Sequence, residues 1–143
     1  MEKYKVGYTT GVFDMFHIGH LNLLKNAKAR CDYLIVGVST DEVVYEYKGK
    51  MPIIQFEERL AIVEAIKYVD KVVPQVNMNK LEAWNTLRFD VLFHGSDWKD
   101  SEMYNKIILS LEKVGADVVF LPHTEGTSST LLSEVLYKVS NNC

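Results

Sequence analysis

Residues 33–38, YLIVGV, constrain the fold more than any other stretch of this chain. The run is continuously apolar, and its β-branched residues favour extended backbone. A strand with one face in water alternates apolar and polar residues. An unbroken run belongs to a strand covered on both faces, the usual situation in a parallel sheet. It is also far too short to span a bilayer, which takes about 20 residues of helix. Further short strands are expected at residues 5–9, 71–73, 91–93 and 118–121, with Pro74 and Pro122 ending the second and fourth of these. Helical spacing of apolar residues predicts helices at 21–29, 56–68, 80–87, 102–114 and 129–139, with Gly115 as a C-terminal stop. Strands thus alternate with helices throughout. That order predicts an α/β fold, a doubly wound Rossmann-like parallel sheet of five strands with helices on both faces, spanning residues 1–143 as one domain. In such sheets ligands bind beyond the carboxyl ends of the strands, where the strand order reverses. The segments following strands, residues 9–20, 39–50, 94–98 and 123–130, are therefore where chemistry is expected.

Charge narrows the function classes. Sixteen Lys and Arg against nineteen Asp and Glu leave a net charge of −3. A net negative surface argues against general binding to nucleic acid or to a membrane surface. Two cysteines, Cys31 and Cys143, make neither a disulfide framework nor a thiolate metal cluster. The first residues, MEKYKVGYTT, lack the apolar core of a signal peptide, so a cytoplasmic protein is expected.

The most informative segment is residues 9–20, TTGVFDMFHIGH, between a strand and a helix. Gly11 allows close approach of backbone to a ligand. His17 and His20 stand three apart, so at the first turn of a helix both rings can point the same way. A helix N-terminus offers free N–H groups and positive partial charge, which suit phosphate. Two imidazoles beside it can donate to phosphate oxygens whose charge grows in a transition state. A zinc site would instead need a third ligand. Asp14 or His94 could be invoked, but the spacing does not demand either. All four histidines, His17, His20, His94 and His123, fall in the segments expected to carry chemistry.

GVFDMFHIGH resembles the GxFDxxHxGH signature of the cytidylyltransferases, a group of the HIGH-motif nucleotidyltransferases. Residues 124–130, TEGTSST, resemble the second signature of that group, RTEGISTT or RTEGISTS. The resemblance covers nearly the whole chain and is strongest to the small bacterial glycerol-3-phosphate cytidylyltransferases. It implies that a phosphate oxygen of an acceptor attacks the α-phosphorus of CTP and that pyrophosphate leaves. By the resemblance, His17 and His20 contact the triphosphate, Asp14 organises their loop, and backbone around Thr10, Gly11, Val12 and Phe13 lines the phosphate site. Val12 stands where the glycerol-phosphate enzymes often carry Thr. Lys48 and Lys50 read either as a solvated basic loop or as a flap meeting the phosphates of both substrates, with Lys50 the stronger candidate. The resemblance gives Arg59 a contact to the acceptor phosphate, although pairing with Glu58 or another neighbour is the simpler reading. Lys67 stands where the family often has Arg, a swap that loses bidentate recognition. Asp70 is as readily structural as functional.

Residues 94–98, HGSDW, look like the family's GDDW segment, with Ser96 in place of the first Asp. There Gly95 and Asp97 are expected at the nucleotide, Asp97 accepting from ribose hydroxyls, while Trp98 either packs or borders the site. His123 replaces the family's Arg before Thr124, Glu125 and Gly126. It serves as a weaker, pH-sensitive phosphate contact, gives way to another cation, or marks a shifted nucleotide preference. Thr127, Ser128, Ser129 and Thr130 resemble the β- and γ-phosphate cradle, and Ser129 or Thr130 also suits a helix N-cap.

The resemblance implies CTP and a small phosphorylated alcohol, most simply glycerol 3-phosphate, as substrates. It further implies Mg²⁺ with the triphosphate, a homodimer, and a product that feeds teichoic acid, capsule or a related polymer. Two alternatives stay open: an adenylyltransferase acting on FMN, pantetheine phosphate or a sugar phosphate, and a non-catalytic nucleotide-binding regulator. A choline-type acceptor would call for an aromatic cage. Tyr45, Tyr47, Trp84, Trp98 and Tyr104 supply aromatics, but nothing in the sequence gathers them.

Overall fold

The computed structural model describes residues 3–96, 99–122 and 128–141. Five parallel strands, β1 (Tyr4–Gly11), β2 (Cys31–Ser39), β3 (Lys71–Gln75), β4 (Val91–Gly95) and β5 (Asp117–Leu121), form one sheet in the order β3-β2-β1-β4-β5. The helices are α1 (Ile18–Lys28), α2 (Asp41–Lys48), α3 (Phe56–Glu64), α4 (Lys80–Leu87), α5 (Glu102–Glu112) and α6 (Ser129–Asn141). The strand order reverses between β1 and β4, so the loops after these two strands face each other across a crevice.

The unbroken apolar run in β2 has the expected cause. Leu34, Val36 and Val38 turn to one face and pack with Leu24 and Ala27 of α1 and Val63 of α3. Ile35 turns to the other face, into a cluster with Leu92, Phe89 and Tyr104 and Leu111 of α5. Position 37 shares that second face and is glycine, because a Cβ there would stand 2.4 Å from the Tyr8 hydroxyl. Both faces are therefore dry, and burial of these side chains stabilises the sheet by roughly 1.5–3 kcal/mol for each fully covered residue.

Several expectations are corrected. Pro74 does not stop β3, which continues to Gln75. β3 is an edge strand, and the Gln75 carbonyl accepts from Thr40 N of the β2 side at 3.2 Å. Its neighbour Pro74 consequently turns its nitrogen to the open edge, where no ladder bond is lost. Residues 41–48, for which no helix is predicted, form α2. The Thr40 hydroxyl caps it by accepting from Val43 N at 3.3 Å, Asp41 and Glu42 occupy its first turn, and Gly49 ends it at φ 73°. Helices α3 and α5 also end before the predicted limits, at Glu64 and Glu112. Among the described residues no helix is long and apolar enough to cross a membrane.

Candidate active site at the carboxyl edge of the sheet

A cleft of about 1500 Å³ opens at the carboxyl ends of the strands. Its wall includes Thr10, Gly11, Val12, Phe13, Asp14, His17 and His20 from β1, the following loop and the start of α1. Lys48 and Lys50 reach it from the end of α2, Gly95 from β4, and Ser128, Ser129 and Thr130 from the start of α6. Residues far apart in the sequence thus converge where the topology predicts a ligand site. Asp97, Trp98, His123, Thr124, Glu125, Gly126 and Thr127 lie outside the described residues.

The two histidines cap α1 reciprocally. His17 is the N-cap, and its Nδ1 accepts from Gly19 N at 3.0 Å. The Nδ1 of His20 accepts from His17 N at 3.2 Å. This is a capping box with imidazole nitrogens in the usual places of hydroxyl and carboxylate. A nitrogen that accepts an N–H carries no proton, so both neutral rings hold their proton on Nε2. The rings lie nearly parallel, with centres 3.9 Å apart and 27° between planes. Burial pushes the His20 pKa down to about 3, helped by His17 and Lys48, and burial also lowers that of His17. The pair is therefore neutral at pH 7 and offers two Nε2–H donors.

The loop before α1 is held in an unusual shape. Phe13 and Met15 both adopt left-handed backbone, at φ 55° and 49°, although neither is glycine. Asp14 between them accepts from Ile53 N at 2.8 Å and Ile54 N at 2.9 Å, tying the histidine loop to the chain that follows Lys50. The Ser129 hydroxyl donates to the Asp14 carbonyl, which joins the start of α6 to the same loop. Ser128, rather than Ser129 or Thr130, supplies the capping hydroxyl and accepts from Leu131 N at 3.0 Å.

Arg59 is not placed as expected. Its side chain is 1% exposed and lies outside the cleft wall. Nε donates to the Ile54 carbonyl at 2.8 Å, Nη1 to the carbonyls of Val12 at 2.6 Å and Ser39 at 2.8 Å, and Nη2 to Asp41 at 2.7 Å. A planar guanidinium clasps the ends of β1 and β2 and the connection between α2 and α3 in this way, which leaves it little to offer an acceptor phosphate. Lys67 is also outside the cleft. It precedes the amino end of β3, at the edge of the sheet away from the site, and its ammonium lies 5.2 Å from the Tyr68 ring centre. Asp70 pairs with Lys28 and accepts from Leu34 N at 2.8 Å, a structural role.

The cations that do reach the cleft are crowded. Burial and the neighbouring Lys50 lower the Lys48 pKa, against the opposing pull of Asp14. His94 lines the floor with its Nδ1 accepting from Gly95 N at 3.0 Å, and burial with the charge of Lys80 lowers its pKa to about 4. A Cβ on Gly95 would meet nothing within 4 Å, so this glycine borders open space. Gln75 and Met78, which no motif singles out, also line the cleft, as do Ser39 and Tyr104. Among the described residues no three His, Cys, Asp or Glu side chains are grouped to hold a metal ion. The zinc alternative also conflicts with the geometry: both histidine Nδ1 atoms and both Asp14 oxygens already accept backbone N–H groups.

The family model described as cytidylyltransferase-like matches residues 8–135. The chain is 37% identical to the glycerol-3-phosphate cytidylyltransferase of Bacillus subtilis, over 88% of this chain and 92% of that protein. It is 36% identical to the ethanolamine-phosphate cytidylyltransferase of Dictyostelium discoideum, over 96% of this chain but 38% of that protein. The solved structure of a lipopolysaccharide core biosynthesis protein from Thermoplasma volcanium superposes with a TM-score of 0.72 at 27% identity, covering 87% of this chain and 99% of that one. With this match over most of its length, the chain belongs to the cytidylyltransferase-like family.

Proposed function

We propose that the protein transfers CMP from CTP to glycerol 3-phosphate, releasing pyrophosphate and giving CDP-glycerol. The observation that carries this reading is the neutral imidazole pair of His17 and His20, each left with Nε2–H to donate at the mouth of the cleft. An acceptor phosphate oxygen forms a bond to the α-phosphorus as the bond to the bridging oxygen of the β-phosphate breaks. No enzyme nucleophile takes part. Catalysis of this kind is positioning and charge stabilisation. His17 and His20 donate to oxygens of the triphosphate as charge builds on them. Lys48 and Lys50 neutralise the phosphates that the reaction brings together, and the crowding of these two cations is relieved when the anions arrive. Asp14 holds the loop rather than the substrate.

Mg²⁺ fits this site as a companion of the nucleotide. The Asp14 carboxylate is already hydrogen bonded to two backbone N–H groups, so the ion would be held by phosphate oxygens and water and would supply charge neutralisation of the leaving pyrophosphate. A homodimer belongs to the same proposal. It is supported by α6, none of whose residues is buried and which carries Leu131, Val135, Leu136, Tyr137 and Val139 in solvent. The acceptor assignment draws on the similarity to glycerol-3-phosphate cytidylyltransferases over nearly their full length. CDP-glycerol made in this way would supply a glycerol-containing polymer, such as teichoic acid or capsule.

Pyrophosphate release is measured with each of the four common nucleoside triphosphates against a panel of phosphorylated alcohols. The expected result is release with CTP and glycerol 3-phosphate. Release with ATP alone would make the protein an adenylyltransferase, and nucleotide binding without release under any combination would make it a regulator.

A further inference from the structure

Lys80 is a cation buried beneath the cleft floor. It opens α4 and is 3% exposed. Its ammonium donates to the Thr10 hydroxyl at 2.8 Å, and Thr10 lines the cleft. An ammonium has three N–H donors. Among the described residues Lys80 makes no ion pair, and its hydrogen-bond partner is a neutral hydroxyl. A buried charge without a counter-ion is destabilising, and a methionine of similar length would fill the space without that penalty. Keeping a lysine here is reasonable if its field acts on what enters the cleft. That field does reach the floor, because it helps to hold down the proton affinity of His94.

The side chains lining the cleft point to a particular acceptor class. Ser39, Gln75 and Met78 line the cleft, with the Ser39 hydroxyl donating to Gln75 Oε1 at 2.6 Å and Gln75 Nε2 contacting the Met78 sulfur at 3.7 Å. These are neutral hydrogen-bonding groups suited to hydroxyls. Of the carboxylates lining the cleft among the described residues, Asp14 is taken up by the N–H groups of Ile53 and Ile54 and Glu134 stands on α6, while Lys48 and Lys50 add further positive charge. Membership of the family leaves the headgroup undecided, since relatives named for glycerol 3-phosphate and for ethanolamine phosphate both match this chain.

We propose that Lys80, acting through Thr10 and across the cleft floor, selects acceptors by charge: it admits phosphorylated alcohols with a neutral hydroxylated body and rejects those bearing an ammonium group. This rests on the cytidylyl transfer proposed above. Lys80 is a specificity-determining and positioning residue and not a group that touches the reacting phosphorus.

The test compares kcat/KM for glycerol 3-phosphate and for phosphoethanolamine, with CTP saturating, in the wild type, Lys80→Met and Lys80→Gln. The wild type should prefer glycerol 3-phosphate, and the preference should shrink by about tenfold or more in both variants. Thermal melting accompanies the kinetics, and Lys80→Met should melt no lower than the wild type. An unchanged preference in variants that remain folded would overturn the role of Lys80 and leave the transfer reaction standing. A wild type that accepts phosphoethanolamine as readily would do the same. Absence of turnover with either acceptor would overturn the transfer reaction and this inference with it. If Lys80→Met melts well below the wild type, the lysine is a structural element, and the proposal fails on that ground.

Discussion

The imidazoles of His17 and His20 face each other at 3.9 Å, and each uses its Nδ1 to hold the first turn of the helix that carries both. One pair of side chains therefore caps α1 and presents two proton-bearing nitrogens to the cleft. The tautomer needed for donation to phosphate is fixed by the backbone, before any substrate arrives.

Substitution can separate the two tasks. In His17→Asn the amide oxygen can accept from Gly19 N in place of Nδ1, so α1 keeps its cap while the Nε2–H is lost. The expected outcome is a melting temperature close to that of the wild type and a kcat lower by about 10²–10³, the usual effect of removing one charge-stabilising donor. Pyrophosphate release under saturating substrates checks it. An unchanged kcat would remove His17 from the reaction.

Arg59→Met should act on stability before activity. It leaves Asp41 and the carbonyls of Val12, Ser39 and Ile54 without their donor, a loss of about 3–5 kcal/mol by analogy with broken buried ion pairs. Chemical denaturation gives the value. A variant of wild-type stability whose only defect is a raised KM for the acceptor would instead restore the substrate contact expected from the sequence.

Lys50→Ala and Lys48→Ala should weaken phosphate binding without unfolding the chain, because both side chains belong to exposed residues at the end of α2. Each should lower kcat/KM by about tenfold or more, and the dependence on ionic strength should flatten. A salt titration of the initial rate distinguishes this from a packing defect.

Acid should destabilise the fold through its histidines. His20 and His94 have folded-state pKa values of about 3 and 4, below the usual 6.5. Between these limits the unfolded chain binds more protons, so stability is fully present above pH 6.5 and declines as pH falls toward 3. Denaturant midpoints at pH 7, 5.5 and 4.5 should fall in that order, and replacing His94 by Gln should flatten the trend. Turnover should show no loss near pH 6.5 from His20, since its folded form stays neutral there.

Thr9→Val should leave the protein as stable or raise it by about 1 kcal/mol. The Thr9 hydroxyl is fully buried in β1 and has no hydrogen-bond partner among the described residues. Thermal melting reads this directly.

Much of this organisation can be read from the chain. The YLIVGV run and the alternation of elements give the sheet, and the spacing of His17 and His20 after a strand points to the cleft they line. Other parts depend on partners remote in sequence. Helix α2 is short, and its buried residues are the adjacent pair Val43 and Val44, so no helical repeat reveals it. Pro74 reads as a strand breaker until the edge position of β3 is known. Arg59 looks the same on paper whether its guanidinium meets a phosphate or the carbonyls of Val12 and Ser39. Lys80 reads as a surface residue of a first helical turn, because its partner Thr10 lies 70 residues away.

Nitrogen NMR of the ¹⁵N-labelled imidazoles tests the central claim most directly. Both His17 and His20 should show an unprotonated Nδ1 and a protonated Nε2 at pH 7, and CTP should shift both Nε2 resonances together. A protonated Nδ1 on either ring, or Nε2 signals that stay in place while nucleotide binds, would contradict the account.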